Sequence, residues 1–114
     1  MSAITTHVLD TACGRPAAGI AVTLERRGDD GGFVPLGSGS TDGDGRLRTL
    51  LPAGQPVAPG LYRLTFATAP YFAGRGVSTF YPEVAILFSV AGAGEHYHVP
   101  LLLSPFGYST YRGS

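Results

Sequence analysis

Seventeen glycines and nine prolines punctuate a chain of 114 residues, which leaves little room for long helices. The runs between them alternate or are β-branched, the pattern of short strands. Ile4 to Leu9 reads as a first strand, and GRPAAG at 14 to 19 as the loop that ends it. From 20 to 26 the chain alternates, with Ile20, Val22 and Leu24 facing one way and Ala21, Thr23 and Glu25 the other. FVPLGSGS at 33 to 40 is expected at a sheet edge, because Pro35 withholds an N–H from the ladder. Two Asp-Gly dipeptides in TDGDGR, 41 to 46, make a turn that leads into the short apolar run Leu47 to Leu51. LYRLTFAT at 61 to 68 sets Tyr62, Leu64 and Phe66 on one face, APYFAGRG holds one short helical turn, and YPEVAILFSV and HYHVPLLL supply the most apolar strands. The chain is predicted to be all-β, a two-sheet sandwich of seven to eight strands in one domain spanning residues 1 to 114.

Composition narrows the function classes. Hydrophobic residues make up 44% and charged ones 14%, sparse polar cover for a monomer of this size, so part of the apolar surface is expected against another subunit. Lys and Arg number 8 and so do Asp and Glu, which leaves no net field to attract nucleic acid or an anionic membrane. A single cysteine, Cys13, cannot staple the fold and suits a reducing compartment; beside Gly14 it reads as a small hydrophobe in a turn. The N-terminal MSAITTHVLD lacks the basic and apolar regions of a leader, and no run approaches the ~20 apolar residues of a spanning helix. A cytoplasmic protein is expected.

Polar chemistry interrupts the apolar pattern at three places. In the last long strand, Tyr97, Val99, Leu101 and Leu103 form the core face, which puts His96, His98, Pro100 and Leu102 together on the other. A wall that carries imidazoles and continues into Pro and Leu suits a sheltered pocket floor. His7 shares the second face of the first strand with Thr5 and Leu9, and Arg46 follows the Asp-Gly turn. The HxH spacing with His7 is a weak match to a zinc site, and no metal is assigned. No glycine-rich loop runs from a strand into a helix, and no GxSxG elbow occurs, so nucleotide binding and a serine nucleophile are both unsupported. Hydrolysis, if present, would use water.

HVLD at 7 to 10, GRPAAGIAVTLER at 14 to 26, DGR at 44 to 46 and HYHVPLLLSPFGYSTYRGS at 96 to 114 together resemble the transthyretin-like 5-hydroxyisourate hydrolases. The YRGS of Tyr111 to Ser114 is the most specific element, since it separates these hydrolases from transthyretin, the hormone carrier on the same fold. The resemblance implies a transthyretin-like sandwich with one short helix, assembled as a homotetramer (a dimer of dimers) with active sites in a central channel. It also implies hydrolytic opening of 5-hydroxyisourate to 2-oxo-4-hydroxy-4-carboxy-5-ureidoimidazoline in urate degradation, with no metal or organic cofactor. The family's active-site residues match His7, Arg46, His98 and the motif from Tyr111 to Ser114. His96 is expected to orient or border the site, and Arg112 to brace the tail against a carboxylate. The rival reading is a non-catalytic small-ligand carrier of the transthyretin type.

The chemistry sets three tasks. A base must take a proton from water, a cation must hold the oxyanion, and a donor must protonate the departing nitrogen. Imidazole titrates near neutrality, so His7 and His98 form the expected acid–base pair, with the assignment between them open. Arg46 keeps its charge and offers a planar fork of donors to an oxyanion. Tyr111 is placed to pack on a flat substrate, and Ser114 offers a hydroxyl and a terminal carboxylate to position water or fix a tautomer.

Overall fold

The computed structural model describes residues 2–92 and 94–114. In chain order its elements are β1 (Ile4–Asp10), β2 (Arg15–Pro16), β3 (Ala21–Arg27), β4 (Phe33–Ser40), β5 (Arg46–Leu47), β6 (Gly60–Phe66), α1 (Thr68–Ala73), β7 (Val84–Val90), β8 (Tyr97–Ser104) and β9 (Gly107–Thr110). The described residues thus contain nine strands where seven or eight were expected. The excess lies in β2 and β5, each two residues long, too short to leave a periodicity in the sequence.

The strands form two sheets, one ordered β2-β1-β8-β9 with β5 also paired to β1, the other ordered β4-β3-β6-β7. Alternation decides which residues meet between them. Ile4 and Val8 of β1, Val22 and Leu24 of β3, Leu64 and Phe66 of β6, Val84 of β7 and Leu101 of β8 are all essentially inaccessible to water. Each such side chain contributes about 1.5–3 kcal/mol by burial, enough to fix the register of every long strand, because a one-residue slip would turn the set outward. The expected inward faces, Tyr62/Leu64/Phe66 and Tyr97/Val99/Leu101/Leu103, are buried throughout.

β4 lies at a sheet edge, as Pro35 requires, and a bulge opposite Leu24 and Glu25 leaves Leu36 without a partner. The helix α1 is a single short segment that stops at Gly74. Its Phe72 enters the core, and Tyr71 donates its hydroxyl to Asp10 Oδ2 at 2.8 Å, closing the far end of β1. Burial, reinforced by that hydrogen bond, pushes the Tyr71 phenol up to about 12. Cys13 sits exposed in the turn after β1 rather than packed as a hydrophobe.

Among the strand pairs of the described residues, one departs from the antiparallel pattern. β1 and β8 run parallel, with Thr5 beside His98 and His7 beside Pro100. On its other side β1 pairs antiparallel with β5, which sets His7 opposite Arg46. Three segments distant in sequence thereby place their polar residues on one outward face.

Candidate active site

The loop before β5 explains why Arg46 stands where it does. Asp42 Oδ1 accepts hydrogen bonds from the backbone N–H groups of Asp44 and Arg46, both at 2.9 Å. The bond from Arg46 leads the influences that hold the Asp42 carboxyl below its usual range. Gly45 adopts φ +76°, and a Cβ on it would lie 2.4 Å from the Val8 carbonyl oxygen. That close approach lets the Gly45 carbonyl accept from Val8 N–H at 2.8 Å, so the loop is stitched to β1 and delivers Arg46 beside His7.

Arg46, Arg48, Thr5, Thr6, His96, His98 and Ser114 line one cavity of about 180 Å³. His7 stands next to it. Its Nε2 lies 2.8 Å from the Asp44 carbonyl oxygen, which can only accept, so Nε2 carries the proton and Nδ1 is the free basic nitrogen. Thr5, buried in β1, sets its Oγ1 2.8 Å from His98 Nδ1 and 3.0 Å from His96 Nε2. The two imidazoles lie nearly parallel, with centroids 6.3 Å apart and an interplanar angle of 20°.

Burial is the main cause that lowers the His98 pKa below the usual histidine value, and the nearby His96, His7 and Arg46 add to it. The contact with Thr5 acts weakly in the other direction. His98 is therefore neutral near pH 7, the state a general base requires.

After β9 the tail folds back over β8. Gly113 N–H donates to the His98 carbonyl at 2.8 Å, the two residues forming an isolated bridge. This return brings Ser114 to the cavity and covers Pro100, which is buried although it lies on the outward face. Arg112 reaches Glu95 at 3.5 Å and lies 4.8 Å from the centre of the Tyr97 ring. Both partners of that ion pair are more than half exposed, so it adds at most about 1 kcal/mol and guides the tail rather than clamping it. Tyr111 is not on the histidine cavity; it borders a neighbouring apolar one of about 320 Å³ with Ile86, Phe88 and Val99, and His98 touches both.

Sequence reasoning passed over Thr5, Arg48 and Glu95. For Thr5 the one sequence signal is its place on the outward face with His7; its burial against the two imidazoles comes from the pairing of β1 with β8. Arg48 and Glu95 carry no such signal. Among the described residues no three His, Cys, Asp or Glu side chains converge as a metal-holding group.

Known proteins share this arrangement of strands. The chain is 49% identical over 119 residues to the 5-hydroxyisourate hydrolase of Caulobacter vibrioides, a match that takes in the full length of both chains. It superimposes on the structure of Klebsiella pneumoniae 5-hydroxyisourate hydrolase with a TM-score of 0.82 at 37% identity, covering 97% of this chain and 98% of that one. Sea bream transthyretin in complex with thyroxine gives a TM-score of 0.90 at 32% identity, over 96% of this chain and 93% of that one. The backbone is therefore common to a protein named a hydrolase and to a thyroxine-bound transthyretin, so the fold by itself does not separate them. The family model described as HIUase/Transthyretin matches residues 4–113, nearly every residue from β1 to the returning tail, and the chain belongs to that family.

Proposed function

We propose that this protein hydrolyses 5-hydroxyisourate, opening its ring to the carboxylated ureidoimidazoline. The observation that carries the reading is the gathering of His98, Arg46 and Ser114 around one small cavity with His7 at its side. Pockets for drug-sized ligands run to about 300–1,000 Å³, so a cavity of about 180 Å³ suits a small flat molecule. Relatives named 5-hydroxyisourate hydrolase, at close to half identity over almost the whole chain, support the same substrate.

In the reaction we envisage, neutral His98 takes the proton of a water molecule as its oxygen attacks the substrate carbonyl. Arg46 holds the oxyanion that develops, and the proton gained by imidazole is returned to the departing ring nitrogen. His7, fixed by the Asp44 carbonyl, presents Nδ1 as an acceptor that orients water or substrate. Ser114 supplies a further polar contact, while Tyr111 is the residue of the tail that would pack on the substrate's flat face from the neighbouring cavity. The chemistry asks for no metal or cofactor at any step.

The active molecule we propose is a homotetramer. β7 and β9 end their sheets, and Leu87, Phe106, Tyr108 and Tyr111 on or next to them are exposed, a row of apolar side chains beside unpaired strand edges that a second copy would cover. Light scattering at micromolar concentration tests this; a monomer contradicts it. No helix among the described residues is long and apolar enough to cross a membrane, and the exposed free thiol of Cys13 favours a cytoplasmic setting.

The test of activity is an ultraviolet time course of freshly generated 5-hydroxyisourate with wild type beside His98→Ala. Fast decay that falls toward the spontaneous rate in the folded variant supports the hydrolase. The second reading, a carrier, is favoured by the close superposition on transthyretin. Saturable binding of a flat aromatic ligand, with decay no faster than buffer, would establish it instead.

A further inference from the structure

The Thr5 hydroxyl is shared between two imidazoles. Oγ1 stands 2.8 Å from His98 Nδ1 and 3.0 Å from His96 Nε2, and Thr5 is only 2% exposed with no third partner for the hydroxyl among the described residues, so its proton goes to one ring or the other. A hydroxyl has a single proton. If it donates to one ring it must accept from the other, and two neutral imidazoles can satisfy it in two ways only. In the first, His98 Nδ1–H donates to Thr5, Thr5 donates to His96 Nε2, and His98 Nε2 is left as a lone pair. In the second, His96 Nε2–H donates to Thr5, Thr5 donates to His98 Nδ1, and His98 Nε2 carries the hydrogen.

We propose that Thr5 is a positioning residue that ties the tautomer of His98 to that of His96, so that the two rings exchange protons as one unit. The proposal rests on the hydrolase reading for its use but not for its geometry. The first arrangement makes His98 a base at Nε2, and the second makes it a donor there. Passage from one to the other balances without net charge. A proton arrives at His98 Nε2 from the attacking water, the Nδ1 proton moves to Thr5 oxygen, the Thr5 proton moves to His96 Nε2, and His96 releases its Nδ1 proton to solvent. His96 is exposed and can make that exchange, whereas His98 is half-buried. An imidazolium need not form beside the Arg46 cation. The depression of the His98 pKa by burial and by its charged neighbours is consistent with a ring that avoids the charged state.

Backbone register explains why this contact is dependable. Thr5 and His98 are paired across the parallel ladder of β1 and β8, which fixes the hydroxyl to the ring whatever the tail does. Threonine is β-branched and stiff at χ1, so the oxygen stays on target.

The deciding measurement is a long-range ¹H–¹⁵N NMR spectrum of the histidine rings in the intact protein without substrate, taken alongside kcat and KM, for wild type, Thr5→Val, Thr5→Ser and His96→Ala. Wild type is expected to hold His98 in the Nδ1–H form. Thr5→Val keeps the shape and removes the hydroxyl; it should give mixed His98 tautomers and a roughly tenfold lower kcat with KM little changed, while Thr5→Ser restores both. His96→Ala, at an exposed position safe for folding, should move His98 toward the Nε2–H form, because Thr5 is then free to donate to Nδ1. An unchanged His98 tautomer in His96→Ala, or a folded Thr5→Val with wild-type tautomer, overturns the linkage. Absence of turnover by wild type would sink the hydrolase reading, and the tautomer spectra would still decide the linkage by themselves.

Discussion

Gly113 packs against the ring of His98: a Cβ built on it would stand 2.5 Å from His98 Cδ2 and 3.2 Å from Pro100 Cγ. The glycine of YRGS is therefore a spacing device, and its lack of a side chain lets the tail lie flat on the imidazole. Gly113→Ala must lift the tail or turn the ring. Since a misplacement of about 1 Å can cost ~10²-fold in rate, kcat/KM should fall by about that factor while the melting temperature changes little. Steady-state decay of 5-hydroxyisourate together with a thermal melt decides it; a wild-type kcat/KM would mean that the tail does not govern His98.

Arg46 is expected to act in the transition state. Arg46→Ala should lose on the order of 3 kcal/mol, a 10²- to 10³-fold fall in kcat, the size of one oxyanion donor. Arg46→Lys keeps the charge without the planar fork and should recover only part of it. A loss confined to KM in either variant would assign Arg46 to substrate binding alone.

Acid should act on both activity and stability through His98. Its folded pKa lies below the unfolded value of ~6.5, chiefly from burial. Between those two values the unfolded chain binds the proton and the native one does not, so stability rises with pH across the window and levels off above ~6.5. The acid limb of kcat/KM should likewise fall below the ordinary histidine value. Denaturant melts and rate profiles from pH 4 to 8 test both, with His98→Ala as the control; a limb above 6.5 would contradict the assignment of His98 as base.

Gly45→Ala should damage the fold itself. The residue adopts φ +76°, and the added methyl would meet the Val8 carbonyl at 2.4 Å. Left-handed strain and overpacking together cost about 3 kcal/mol, a drop of roughly 10 °C in Tm. Calorimetry measures this directly. A Tm within about a degree of wild type would show that the loop can leave β1 at little cost.

Much of this was legible in residues. The alternation of Ile20, Val22 and Leu24, and of Tyr97, Val99, Leu101 and Leu103, named the inward faces because period two has only one solution when a single face is buried. Pro35 placed its strand at an edge for want of an N–H. What stayed hidden depends on contacts between distant strands. Nothing local marks the parallel pairing that sets Thr5 beside His98, and the pairing of Arg46 with His7 rests on a two-residue ladder. Tyr111 illustrates the same limit: its place in YRGS suggested the substrate, and only the path of the chain past β9 shows that it borders the apolar cavity beside the histidines.

The parallel union of β1 and β8 also bears on how the protein comes to life. Thr5 and His98 are 93 positions apart in the chain, and Gly113 closes over them later still. Loop closure over such a separation is entropically costly, and contacts of this range slow folding. Synthesised from its N-terminus, the chain can pair β3 with β4 and β6 long before β1 meets β8. The candidate site is thus assembled late, and a nascent chain halted before residue 98 would hold all four strands of the second sheet while still lacking His98 and the returning tail.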